Sequence, residues 1–289
     1  MQNTGANFIA GADIGGSHIT VGWVQEGIPA LVNGESVRIK LDSKGNKESI
    51  LQAWLAALSE LANKGGRSIE RLAFAMPGPF DYVQGISLIQ GLDKYESLYG
   101  LDIKELFAEK LAISPENIRF RNDAEAFLHG ELMAAGIPLD RKVMGITLGT
   151  GFGSALSQAG NTRDLSIGLS PFKDSIVDDF LTTRWFRSSY EKANRLEMDV
   201  QKISELARKG EPLAEQLFME FSANLTEVLH RILTEYQPDD IILGGNIAKA
   251  SDLFLPELSR RLQAAGCTVN FHLAQLGEHS AIVGSAYLF

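Results

Sequence analysis

The chain has 289 residues, 45% of them hydrophobic and 22% charged, with a formal net charge of −9. That length exceeds what one ordinary core serves and predicts two lobes or one large α/β unit, with the balance of a globular rather than a disordered chain. With an acidic surplus and no Lys/Arg-rich run, attraction to nucleic acid or anionic membrane has no electrostatic source, so small molecules are the expected partners.

In chain order, "FIAGADI" and "ITVGWVQ" read as strands, and "NKESILQAWLAALSELANKGG" as an amphipathic helix closed by glycine. "RLAFAMPGPFD" is a strand entering a Pro-Gly-Pro turn, because proline cannot continue a ladder. "DIKELFAEKLA" is helical, and "NIRFRNDAEAFLHGELMAAG" is a short strand that becomes a helix near Asn122. "KVMGITLGTGFGSALSQ" is a strand, a glycine turn and a second strand. Two helices are expected within 175–235, then "DDIILGGNIAKA" as a strand, a double glycine and a helix start. "CTVNFHLA" and "HSAIVGSAYLF" close the chain as strand and helix. Such alternation predicts mixed sheets flanked by helices.

The amino terminus lacks a basic segment leading into an apolar run, and no window is long and apolar enough to cross a membrane, so a cytoplasmic protein is expected. Cys267 is the only cysteine, which excludes an internal disulfide and a cysteine-cluster zinc site.

"ADIGGSHITVGWV" and "ITLGTGFGSALSQ" share one plan of strand, glycine turn and strand, with Gly15 matched by Gly149, which suggests two related lobes. Glycine reaches positive φ and has no Cβ, so such turns let backbone N–H groups approach a bound anion. The dinucleotide fingerprint needs a helix after its glycines, whereas β-prone runs follow both turns, and the lysine of a P-loop is absent. What remains is a pair of hairpins able to hold a nucleotide's phosphates. Asp13, at a strand end beside the first, is either a turn former or a carboxylate that holds Mg2+ through water. In "RFRNDAEAF", Asn122 and Glu125 fit a capping box, while Asp123 either complements the helix dipole or takes a hydroxyl proton.

"DIGGSHI", "MPGPFD", "RNDAEAFLHGE", "TLGTGFG" and "IILGGNIAKA" occur in the order and approximate spacing of the bacterial ROK family of repressors and sugar kinases, and the chain resembles that family nearly end to end. The resemblance implies an actin-like ATPase (ribonuclease H-like) α/β fold in two lobes with a nucleotide cleft between them. The amino-terminal lobe would run over 1–121, joined by the final helix 278–289, and the carboxy-terminal lobe over 122–277. Position by position, Asp13, Gly15, Gly16 and Ser17 resemble the first phosphate hairpin, with Asp13 facing Mg2+. Thr147, Gly149, Thr150 and Gly151 resemble the second, and Gly244, Gly245 and Asn246 the adenosine motif. Gly78 and Pro79 match a loop near the sugar, Asn122 a residue that holds sugar hydroxyls, and Asp123 the general base. The implied activity is ATP-dependent phosphorylation of a hexose, most often at the 6-hydroxyl, by a homodimer.

One segment departs from the family pattern. If Gly168 is the glycine of the family's Glu-x-Gly-His segment, Ser166 and Leu169 replace the glutamate and the histidine, and the zinc motif is missing. Asp178 stands either for a sugar-touching acid or for an acid near a helix start. A repressor of that family is expected to carry a helix-turn-helix segment ahead of the first hairpin, and residues 13–17 stand too near the start of this sequence to leave room for one in it. A sensor without turnover, a non-glucose sugar and a polyphosphate donor stay open as alternatives.

Overall fold

The computed structural model describes residues 7–289. The chain divides into two compact units, the first reaching Ile137 and including Glu278–Phe289, the second covering Pro138–Gly277.

The first unit opens with β1 (Phe8–Ile14), β2 (His18–Gln25) and β3 (Leu31–Lys40), an antiparallel series. Helix α1 (Lys47–Gly65) follows, started by Asn46, whose side chain accepts from the Ser49 N–H at 2.8 Å. Next come β4 (Leu72–Met76), the two-residue pair β5 (Phe80–Asp81) and β6 (Ile86–Ser87), α2 (Ile103–Leu111), β7 (Ile118–Asn122) and α3 (Asp123–Ala135). The sheet order is β3-β2-β1-β4-β7, with β1, β4 and β7 parallel. Trp54, Phe74, Phe107 and Phe120 fill the space beneath it, Phe74 and Phe120 stacked at 5.2 Å between ring centres. Each such ring taken from water contributes about 2–3 kcal/mol.

The second unit repeats the plan. Strands β8 (Val143–Leu148), β9 (Phe152–Gln158) and β10 (Asn161–Asp164) are antiparallel. A small pair, β11 (Pro171–Phe172) and β12 (Ser175–Ile176), leads to α4 (Thr183–Asn194), α5 (Val200–Arg208) and α6 (Pro212–Tyr236). Then come β13 (Asp240–Gly244), α7 (Leu255–Ala264) and β14 (Asn270–Leu273), and the sheet order is β10-β9-β8-β13-β14. Because β8 pairs with β13 and β13 with β14 in parallel, strand order and direction match the first unit throughout. The likeness of "ADIGGSHITVGWV" and "ITLGTGFGSALSQ" is therefore the visible part of a whole repeated sheet.

The chain ends in α8 (Ser280–Ala286), which returns to the first unit and packs on α3. Small residues set that contact: a Cβ on Gly284 would lie 1.8 Å from the Ala126 carbonyl oxygen, and one on Gly130 would lie 2.2 Å from that of Ser280. The Ser280 hydroxyl donates to the buried Glu131 carboxylate. This seam keeps α3 with the first unit, so the chain divides after Ile137 rather than after residue 121.

Two sequence expectations are corrected. The stretch 175–235 holds three helices, not two, because Asp199 caps α5 through the Lys202 N–H at 2.9 Å and Glu211 caps α6 ahead of Pro212. Strands β3 and β10 escape the period-two reading because both are polar edge strands, with Leu31 and Val37 the buried residues of β3.

Candidate functional site

In the first unit the candidate residues gather at one edge of the sheet. Asp13 pairs in register with Ala75, and Met76 with Asn122, so β1, β4 and β7 deliver Asp13, the Pro77–Gly78–Pro79 turn and Asn122–Asp123 to their shared carboxyl ends. Ligands of α/β proteins bind outside such ends. Burial raises the Asp13 carboxyl to about 7, and the Asp123 carboxylate adds to that rise; Arg38 opposes it and Glu278 supports it. Two acids are thus held close enough to disfavour each other's charge, an arrangement that a cation relieves.

Asn122 is almost wholly used by the protein. Its side-chain oxygen accepts from the Ala124 and Glu125 N–H groups at 2.8 and 3.2 Å, as an N-cap, and its amide donates to the Tyr82 hydroxyl at 3.2 Å. Tyr82 in turn donates to the Met76 carbonyl at 3.1 Å. Gly78 lies against this chain, since a Cβ there would meet the Tyr82 hydroxyl at 3.2 Å. Tyr82 is a site-shaping residue that the sequence reading missed, and nothing local in "PFDYVQG" marks it.

The glycines of the two hairpins divide by cause. Contrary to expectation, Gly15, Gly16, Gly149 and Gly151 all lack positive φ. A Cβ on Gly16 or Gly149 would meet nothing within 4 Å. The backbone therefore does not require glycine at those two positions, and the bare space over them is what a close-lying ligand needs. Gly245 differs: it sits at φ +87°, and a Cβ would lie 2.4 Å from the Leu148 carbonyl oxygen. Ser17 is exposed and shares a hydrogen bond of 2.8 Å with the His18 ring.

In the second unit, the pairing of Gly244 with Thr147 brings the β8–β9 turn beside Gly244–Gly245–Asn246 at the carboxyl ends of β8 and β13. The turn is closed by the Gly149 N–H donating to the Gly151 carbonyl at 3.1 Å, and the Thr183 N–H donates to the Gly149 carbonyl at 2.8 Å. Asn246 precedes a short 3-10 segment, Ile247–Leu253, and its side chain does not cap it. Asp178 accepts from the Phe152 N–H at 2.7 Å and lies 3.5 Å from where a Gly151 Cβ would be. The structure thus ties Asp178 to the glycine hairpin, a contact between residues 26 positions apart that its own surroundings in sequence do not announce.

Residues 174–289 match the family model described as the ROK family. Over those residues, which make up less than half of the chain, the sequence is similar to the ROK family. An N-acetyl-D-glucosamine kinase of Haemophilus influenzae is 22% identical over 312 aligned positions, covering 96% of this chain and 98% of the relative. The ROK family glucokinase of Streptomyces griseus, solved with glucose and AMPPNP, superposes with a TM-score of 0.80 at 21% identity over 98% of this chain and 99% of that one. A putative N-acetylmannosamine kinase of Listeria monocytogenes gives a TM-score of 0.80 at 19% identity, with 97% and 98% covered. These likenesses establish that the chain shares the fold of those two solved proteins.

Against the ROK pattern, the 164–170 segment has its own character. The Ser166 hydroxyl and N–H both donate to Asp164, at 2.8 and 2.9 Å, and Leu169 is 66% exposed. Among the described residues, no three His, Cys, Asp or Glu side chains gather to hold a metal. Magnesium does not need such a cage, since it takes one or two carboxylates beside waters and phosphates. The donor chemistry at Asp13 fits it: an acid whose charge is suppressed by burial and by Asp123.

Proposed function

We propose that the protein is an ATP-dependent sugar kinase that transfers the γ-phosphoryl group to a hexose hydroxyl, the 6-hydroxyl in the glucokinase-like case. The observation that carries this reading is the pairing of Asp13 with Asp123 at the carboxyl ends of β1 and β7. Phosphoryl transfer requires little covalent chemistry of the protein and much positioning and charge neutralisation.

In this reading each hairpin by itself offers backbone amides to a phosphate: those of Gly15, Gly16 and Ser17 in the first unit, and those of Gly149, Thr150 and Gly151, beside the Thr147 strand end, in the second. Gly244, Gly245 and Asn246 flank the nucleoside. Asp13 would hold Mg2+, which when bound would supply neutralisation of phosphate charge. Asp123 orients the acceptor hydroxyl and takes its proton. Asn122 contributes whatever its amide retains beyond Tyr82, and Gly78 and Pro79 form the acceptor wall beside it. Asp178, which the sequence reads as either a sugar-touching acid or an acid near a helix start, acts in this reading through Phe152 on the second hairpin. A homodimer and a cytoplasmic location accompany the proposal from the family resemblance, and light scattering on the purified protein tests the dimer.

The acceptor is chosen by experiment from the chemistry of the relatives: glucose, N-acetylglucosamine, N-acetylmannosamine, mannose and fructose, with ATP or polyphosphate, scored by product release. Sugar-stimulated release with one of them supports the kinase. Its absence with every pair favours a second reading, a sugar or nucleotide sensor, which the tied Ser166 and exposed Leu169 support because neither matches the family's sugar ligands.

A further inference from the structure

Tyr95 is a buried phenol that the proposed chemistry does not use. It is fully buried although its backbone lies at φ +54°, a region bulky residues occupy only when their surroundings over-determine it. Its N–H donates to the Ser43 carbonyl at 2.6 Å, and its ring meets Trp54 edge-on at 5.9 Å. Its hydroxyl donates to the carbonyl of Gly15, 80 residues earlier in the chain. Burial, and then the nearby Asp13 carboxylate, push the phenol pKa up, so the hydroxyl keeps its proton and stays a donor.

The consequence follows from peptide geometry. The Gly15 carbonyl and the Gly16 N–H belong to one rigid planar unit and, in a trans peptide, point in opposite directions. Drawing the carbonyl toward the buried phenol therefore turns the N–H of Gly16, an exposed residue, away from that phenol. The loop that carries Tyr95 is itself tied to the Pro-Gly-Pro turn, because the Leu88 N–H donates to the Pro79 carbonyl at 3.2 Å.

We propose that Tyr95 is a positioning residue for the first glycine hairpin, its hydroxyl aiming the Gly16 amide at a nucleotide phosphate. The phosphate role rests on the kinase reading, whereas the strut itself does not. Tyr95→Phe keeps the ring and removes only the hydroxyl. Losing one hydrogen bond to a buried carbonyl is expected to raise the nucleotide KM, and the Kd of AMPPNP, about three- to tenfold while the sugar KM stays unchanged. Hydrogen exchange of the Gly15 amide, which donates to the His18 carbonyl at 2.9 Å, should quicken in the nucleotide-free protein. Ser97→Ala, which removes a 2.9 Å bond from the same loop to the Gly45 carbonyl, is expected to leave nucleotide affinity alone. An unchanged AMPPNP Kd in Tyr95→Phe, or an equal shift in Ser97→Ala, would overturn the proposal. The exchange and AMPPNP measurements need no turnover, so they judge Tyr95 even if no sugar proves to be a substrate.

Discussion

Replacing Asp13 by Asn should make the metal-free protein more stable while removing its activity. The carboxyl is raised from 3.8 to about 7, so the folded state holds a proton that the unfolded chain releases. At about 1.36 kcal/mol per pKa unit the full effect is about 4 kcal/mol, and the partial contact of Asp13 with solvent reduces the expectation to about 1–3 kcal/mol. The sign follows from proton counting: where the native state binds more protons than the unfolded one, stability falls as pH rises. Below about pH 4 both states are protonated and the charge costs nothing; between pH 4 and 7 the wild type loses stability, and above pH 7 the loss is complete. Denaturation of wild type and Asp13→Asn in EDTA at pH 5, 6, 7 and 8 reads this directly. The advantage of the variant should grow across that series to about 1–3 kcal/mol, a rise in Tm on the order of 5 °C. Mg2+ with ATP should then stabilise the wild type and not the variant. Equal stability of the two proteins at every pH, or a less stable variant at pH 8, would refute the idea that Asp13 and Asp123 share an electrostatically strained site.

Asp123→Asn should leave AMPPNP binding nearly intact and lower turnover at least ~100-fold, as steady-state kinetics would show. Asp178→Ala removes the acceptor for the Phe152 N–H, so it should cost about 1–3 kcal/mol in urea denaturation and raise the nucleotide KM with little change in the sugar KM. Gly284→Ala places a methyl 1.8 Å from the Ala126 carbonyl oxygen, and because that neighbour is backbone, α8 must move off α3. A loss of about 3 kcal/mol or more is expected, measured by thermal melting, and a neutral result would show that the seam is looser than described.

Much of the architecture follows from local rules that a sequence displays. Asn46, Asp102 and Asn122 each cap a helix where their positions predicted one, and the repeated strand, glycine turn and strand pattern foretold two sheets of one plan. Edge strands β3 and β10 were hidden because few of their residues are buried, which leaves too few apolar positions to mark a core-facing side. The three helices of 175–235 were merged because their caps, Asp199 and Glu211, are acidic residues that suit a continuous helix surface equally well.

At the site, the sequence by itself determined which residue types were available and which turns they occupied: Asp13 beside one glycine pair, Asp123 at a helix start, Gly149 and Gly151 in a second turn. It could not decide why each was there. Parallel pairing of β1, β4 and β7 brought Asp13 and Asp123 into electrostatic contact, and a carboxyl pKa depends on such neighbours and on burial, not on adjacent residues. Tertiary structure likewise separated Gly16 and Gly149, with open space above them, from Gly245, which is pressed against Leu148, although all three read alike as turn glycines. It also assigned Asp178 to Phe152 and Tyr95 to Gly15, pairs whose partners lie 26 and 80 residues away. Hydrogen bonds of that reach are made by the fold bringing distant backbone close, and no local pattern records them.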